Sequence, residues 1–156
     1  MKEWKEEYSE VHWADAMRLA VLHRHGGVYL DTDVLSLRPL GILGNTIGVE
    51  HSHMPNSAVL SFTAGHELLR VAIDEFVASF RPNWWGHVGP RVILRAWQRW
   101  TPVSGANDVA VFDPTAFYPI PWQEWKALFQ PADEHESLLN HLLAHGHLAH
   151  VWNHLT

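Results

Sequence analysis

Residues 26–33, Gly26-Gly27-Val28-Tyr29-Leu30-Asp31-Thr32-Asp33, constrain the fold more than any other stretch. Before them, residues 8–25 read as a helix, with Val11, Ala14, Met17 and Val21 on one stripe and Leu22 beside it. Two glycines end such a helix, because glycine takes the left-handed conformation of a helix C-terminus at little steric cost. Apolar residues then open a short strand over 28–31, and two carboxylates follow with one residue between them. Alternate side chains of an extended chain share a face. The spacing therefore predicts Asp31 and Asp33 pointing the same way at the mouth of a buried strand. Carboxylates so placed repel each other unless a cation stands between them. A hard divalent ion, Mg²⁺ or Mn²⁺, takes oxygen ligands and keeps positions open for phosphate oxygens. The stretch suggests a metal that holds a nucleotide diphosphate. Taken alone, the same pair also fits a solvated loop after a strand.

The rest of the chain alternates strands with helices. Pro39 ends a loop-like stretch after Asp33. Residues 47–50 and 58–62 are strand candidates. Leu69, Ile73, Phe76 and Phe80 place a helix over 66–80. Residues 83–90 form a turn-rich loop, and Pro90 opens a helix through Trp100. A strand at 109–112 follows, then a proline-rigid aromatic corner at 117–122. Residues 122–129 and 136–143 read as helical, with Trp122, Trp125 and Phe129 on one inward face. Residues 149–152 are a late strand or extended segment. This order implies an α/β domain with a mainly parallel sheet.

Bulk properties narrow the partners. At 156 residues the chain is one domain at most. A net charge of −6 and the lack of any Lys/Arg block argue against nucleic acid, whose phosphates select basic surfaces. There is no cysteine, hence no thiolate metal site. No apolar run approaches the roughly 20 residues that span a bilayer. The charged start does not read as a signal peptide. Nine tryptophans suit flat ligands such as sugars and nucleobases, or simply an aromatic core.

Asp15-Ala16-Met17-Arg18 together with residues 26–33 resembles the DXD sugar-binding region of retaining GT-A glycosyltransferases. Gly86-His87-Val88-Gly89-Pro90, Ala116-Phe117-Tyr118-Pro119-Ile120-Pro121-Trp122 and His150-Val151-Trp152-Asn153 resemble the C-terminal region of the α-1,4-glycosyltransferases, the globotriaosylceramide synthase type of α-1,4-galactosyltransferase among them. The resemblance runs from about residue 12 to residue 154, the four blocks standing in the family's order. Two features depart: Val88 stands where that pattern has a polar residue, often glutamine, and the cysteines that flank the helix ending at Trp100 in animal relatives are absent, with Thr101 in their place.

The resemblance implies a GT-A, Rossmann-like nucleotide-diphospho-sugar transferase fold, shortened at its N-terminus. One catalytic domain over 1–156 would hold a DXD region at 12–40 and a C-terminal region at 83–154. It implies a UDP-sugar donor, a divalent ion, usually Mn²⁺ or else Mg²⁺, and transfer with retention of anomeric configuration to a glycan or glycolipid hydroxyl. Asp33 would ligate the metal. Asp31 would share the metal shell and touch ribose or donor sugar, and His150 would complete the shell. Asp15 and Arg18 would hold donor-sugar hydroxyls, with Arg18 also near the diphosphate. Tyr29 would line the donor pocket, and Trp152 and Asn153 would sit beside the diphosphate. Asn56 would face the donor sugar or cap a turn. His87 would contact substrate or fix its loop.

Galactose and N-acetylglucosamine are the expected donor sugars, with attack on the face the UDP leaves. A non-catalytic carbohydrate- or partner-binding module on the same fold is the alternative. A third reading places Zn²⁺ or Ni²⁺ on Glu134, His135, His145, His147, His150 and His154. Without cysteine or signal peptide, the chain is expected to be a bacterial-type cytoplasmic relative, with a Golgi lumen as the alternative if it is part of an animal enzyme. Peripheral membrane association would come only through the acceptor. Oligomeric state is not legible.

Overall fold

The computed structural model describes residues 10–81, 88–104, 108–129, 131 and 136–152. Helix α1 (Glu10–His25) leads into strand β1 (Gly27–Leu30). Strands β2 (Val34–Ser36), β3 (Thr46–His51) and β4 (Met54–Phe62) follow, then helices α2 (Glu67–Ser79) and α3 (Pro90–Ser104). Strand β5 (Ala110–Phe112), helices α4 (Pro114–Phe117) and α5 (Glu136–His145) and strand β6 (Leu148–His150) complete the order.

Four strands form one sheet in the order β1-β4-β3-β5, and β2 pairs with β6 in a second sheet. β4 runs antiparallel to both β1 and β3, and β5 runs parallel to β3. Strands β1, β3 and β5 therefore point the same way, with β4 reversed between them. The α/β class holds, but the sheet is mixed rather than mainly parallel. The cause is local: β3 and β4 are joined by a tight turn, with Ser52 and His53 at positive φ, and a hairpin connection makes neighbours antiparallel.

Val59 and Leu60 are adjacent, so they face opposite sides of β4, and they join different cores. Leu60, Ile47 and Phe62 pack with Leu19, Leu22, Leu69, Phe76, Val92 and Trp100 of the first three helices. Val59 packs with Leu43, Phe117, Tyr118, Leu148 and Trp152. Val88 is 1% exposed and belongs to the first core, which suits an apolar side chain there. Glu75 accepts from Arg95 and Arg99 at 2.6 Å each, tying α2 to α3. Among the described residues no helix is long and apolar enough to cross a membrane.

Three more expectations change. The apolar stripe expected to bury α1 is exposed: Val11 at 48%, Met17 at 52% and Val21 at 44%. The helix instead buries His12, Asp15, Arg18, Leu19 and Leu22. These also recur at three- and four-residue spacing, and the polar partners waiting on the sheet decide between the two faces. Residues 34–36, expected as loop, form β2. Three residues are too few to show a strand period, so the pairing with β6 creates the strand. Residues 122–129 form a 3₁₀ rather than an α-helix. In a three-residue period Phe129, seven residues after Trp122, leaves the stripe and is 66% exposed; Trp122 stays in line with Trp125 but is itself 45% exposed.

Candidate functional site

The carboxyl ends of β1 and β3 lie on one edge of the sheet, where open α/β sheets gather their ligands. Gly26 ends α1 with φ of 66°, its N–H donating to the Leu22 carbonyl at 2.7 Å. A Cβ there would stand 2.6 Å from the Ala64 backbone nitrogen, so no side chain fits. This tight exit sends the chain straight from α1 into β1 and brings Asp31 back beside Arg18 of the same helix.

Asp31 and Asp33 do converge, though not by strand alternation. A turn follows β1, closed by the Val34 N–H donating to the Asp31 carbonyl at 3.1 Å. β2 then pairs with β6 in the register Val34↔His150, and Val151 N–H donates to the Asp33 carbonyl at 2.9 Å. His150 Nε2 lies 3.2 Å from Asp33 Oδ1. Asp31, Asp33 and His150 each offer one ligand atom, all within 4.8 Å of one another. Two carboxylate oxygens and one imidazole nitrogen suit Mn²⁺ or Mg²⁺, the imidazole leaning towards Mn²⁺. The His150 side chain is 5% exposed, the Asp33 side chain 15% and the Asp31 side chain 27%, so the group is closed on the His150 side and reached by solvent on the Asp31 side.

Arg18 organises the inner wall. Its guanidinium donates to the Ser57 carbonyl at 2.7 Å and to Ser57 Oγ at 2.9 Å, and its Nε donates to the Ala14 carbonyl at 3.3 Å. It pairs with Asp15 and with Asp31 at 3.3 Å each. Tyr29 donates its hydroxyl to Asp31 Oδ1 at 2.7 Å and lies under the guanidinium, 4.8 Å from ring centre to Cζ. Burial raises the Tyr29 phenol above its ordinary range. Burial likewise raises Asp15 to about 6, against the lowering pull of Arg18. Gly89, just ahead of α3, makes room for Asp15: a Cβ there would meet its Oδ1 at 2.9 Å.

Trp152 is 4% exposed, and its indole N–H donates to the Ile120 carbonyl at 2.9 Å. Its ring stands edge-on to His150, centroids 4.1 Å apart. Its φ of 55° is a strained setting for a bulky residue. Asn56 is buried too. Its Oδ1 accepts from the Ala58 N–H and its Nδ2 donates to Glu50 Oε2, both at 2.8 Å. His87, Asn153, Glu134, His135 and His154 lie outside the described residues. Among the described residues, only His150 of the C-terminal histidines joins a group that could hold a metal. Ser57 and Gly89 were not legible as site residues. Their roles come from register and close approach, which leave no residue-type signal.

The sequence matches two protein families. The alpha 1,4-glycosyltransferase conserved region matches residues 61–156, and the glycosyltransferase sugar-binding region containing DXD motif matches residues 1–64. The chain is 38% identical over 146 residues to lactosylceramide 4-alpha-galactosyltransferase of Mus musculus, covering 90% of this chain and 40% of that protein. It is 28% identical over 151 residues to human alpha-1,4-N-acetylglucosaminyltransferase, covering 91% and 42%. The chain thus spans about two fifths of the length of these relatives. Among solved structures it resembles the PaToxG glycosyltransferase, with a TM-score of 0.50 and 22% identity over 59% of this chain and 36% of that one. That likeness supports the glycosyltransferase fold. The mammalian relatives overturn the expectation of a bacterial-type cytoplasmic protein. Cysteine content and a charged start are poor guides to compartment when a chain covers 40% of its relative.

Proposed function

This chain belongs to the alpha 1,4-glycosyltransferase family, and from that we propose that it transfers a hexose from a UDP-sugar to a sugar hydroxyl of a glycan or glycolipid, retaining the anomeric configuration. The observation that carries the proposal is the convergence of Asp31, Asp33 and His150 at the strand ends, with Arg18 and Asp15 alongside. The names of the relatives support galactose or N-acetylglucosamine as the sugar and a glycolipid among the acceptors.

Asp31, Asp33 and His150 would hold the divalent ion, Mn²⁺ before Mg²⁺. When bound, the ion supplies positive charge beside the departing diphosphate, where negative charge grows as the glycosidic bond breaks. This chain's own residues prepare that site in advance. Tyr29 and Arg18 fix the Asp31 carboxylate from two sides, so a ligand meets it in one orientation. Arg18 is 5% exposed, so its part is to hold Asp15 and Asp31 and to lend charge through them. Trp152 braces the His150 ring and spends its indole N–H on the Ile120 carbonyl, so its proposed part is to position the imidazole. The acceptor hydroxyl would then attack the anomeric carbon on the face the UDP leaves, its oxygen bonding to carbon as the bond to the diphosphate oxygen breaks and its proton passing to that departing oxygen.

The test is UDP release from a panel of UDP-sugars with Mn²⁺, with and without chelator, in wild type and Asp33→Asn. Metal-dependent release from one donor, lost in the folded variant, is the expected result. No release from any donor by a folded chain favours the non-catalytic binding module. Release that persists unchanged in Asp33→Asn overturns the metal assignment.

A further inference from the structure

Glu50 stands in the last turns of β3, at the same edge of the sheet as Asp31. Its side chain is 13% exposed. Burying a carboxylate is costly unless its charge is compensated. Yet among the described residues its partners are weak ones. Oε2 accepts from the Asn56 amide at 2.8 Å. Oε1 lies 3.3 Å from Nδ1 of His51, whose own side chain is 60% exposed. No described lysine or arginine pairs with it, although Arg18, Arg70, Arg95 and Arg99 are each paired with an acid. An ionised carboxylate has about four acceptor positions, and these two contacts leave some of them open.

The position of Glu50 is set by the same backbone that positions the metal group. Asn56 Oδ1 accepts from the Ala58 N–H at 2.8 Å, and the Ala58 carbonyl accepts from the Asp31 N–H at 2.8 Å. The neighbouring residue, Ser57, holds Arg18. One short segment of β4 thus ties Glu50 to Asp31 and Arg18. The buried Tyr118 phenol, whose ring packs on His150 and Trp152, is raised by burial first and then by the carboxylates of Asp31 and Glu50. Asn56 itself has its oxygen and one amide hydrogen committed and is 7% exposed. Of the pair, Glu50 keeps the capacity to bind something else.

We infer that Glu50 is a sugar-binding residue of this site, accepting hydrogen bonds from hexose hydroxyls, and that Asn56 is the bracket that holds its carboxylate in place. Sugars present adjacent hydroxyls as donors, and a fixed carboxylate with free lone pairs is their natural acceptor. The proposal rests on the glycosyltransferase reading. The hydroxyls can belong to the donor hexose or to the acceptor sugar, and binding measurements separate the two.

The experiment titrates UDP, UDP-galactose, UDP-N-acetylglucosamine and lactose, the last with UDP present, into the full chain with Mn²⁺, for wild type, Glu50→Gln and Glu50→Ala. Glutamine keeps an oxygen for the Asn56 amide, so Glu50→Gln is expected to fold with an unchanged unfolding midpoint and unchanged UDP affinity. A loss of about tenfold or more for a UDP-sugar, with UDP itself unaffected, supports the proposal and places the hydroxyls on the donor. A similar loss confined to lactose supports it and places them on the acceptor. A purely structural Glu50 would move UDP, UDP-sugar and lactose together, and that result overturns the proposal. So does an unchanged affinity for every sugar in both variants. If wild type fails to bind UDP with Mn²⁺, the glycosyltransferase reading fails first and this proposal falls with it.

Discussion

Asp33 and His150 face each other across the β2–β6 pair, with His150 Nε2 3.2 Å from Asp33 Oδ1 and a backbone bond from Val151 to Asp33 beside them. Asp31 belongs to the other sheet, at the end of β1. An ion held by all three therefore joins the two sheets. With Mn²⁺, amide exchange is expected to slow in β2 and β6 relative to the chelated chain, while β3 and β4 change little, since binding stabilises what it touches. Asp33→Asn should remove the difference. Exchange in residues 34–36 and 148–150 that ignores Mn²⁺ would show that no ion bridges the sheets.

Asp15 should make stability fall with pH. Its folded pKa is raised, from 3.8 to about 6, mainly by burial. The unfolded chain therefore gives up this proton more readily. The contribution is fully present below pH 3.8 and is lost as pH rises through about 6. At its limit it amounts to about 3 kcal/mol. Asp15→Asn, which cannot ionise, should lose this part of the slope and be the more stable of the two above the window. Urea unfolding of both proteins across the window, with chelator present, measures the difference. Parallel pH curves would rule out a buried, shifted Asp15.

Gly89 and Asp15 are in close approach, so Gly89→Ala forces Asp15 to move. The new Cβ would stand 2.9 Å from one carboxylate oxygen and 3.0 Å from the other. A cost of about 1–3 kcal/mol is expected for this overpacking. Asp15→Ala in the same chain should relieve most of the clash, so the two changes should be clearly non-additive in a double-mutant cycle. Additive costs would mean that the alanine strains the start of α3 and not the carboxylate.

Trp152→Phe keeps a ring beside His150 but removes the N–H that the Ile120 carbonyl accepts. Stability should drop by about 1 kcal/mol. Mn²⁺ affinity should change little, because the brace on the imidazole is retained. Trp152→Gly relieves the left-handed backbone but removes the ring, so Mn²⁺ affinity should fall even where the fold survives. Free Mn²⁺ followed by electron paramagnetic resonance reads both variants. Equal affinity in Trp152→Gly and wild type would dismiss the brace.

Some of this was legible before any coordinates. The Gly26-Gly27 break and the strand after it depend on local rules, namely glycine's conformational freedom and apolar patterning, and the described structure agrees; Asp31 and Asp33 also meet, but through a turn and the β2–β6 pairing rather than by strand alternation. Helices α2 and α3 carry their apolar residues at helical spacing and bury them. Donor-type residues at 15, 18, 31, 33 and 150 could be picked out because their blocks stand in a family's order. What they touch could not.

Long-range pairing decided the rest. Apolar periodicity chose the wrong face of α1, because Ser57 and Asp31 on the sheet reward the burial of Arg18 and Asp15 over that of Val11 and Met17. Strand β2 exists only because β6 lies beside it, and that pairing brings His150 to Asp33 across more than a hundred residues of chain. Nothing in the sequence marks Glu50, which the register of β3 on β4 sets against Asn56. The sequence by itself determined which chemical groups this protein has and where α2, α3 and β1 lie, to within a residue or two at their starts. Only the tertiary structure decided which groups meet, because hydrogen bonds and ion pairs act over a few ångströms and the fold alone sets which distant residues come that close.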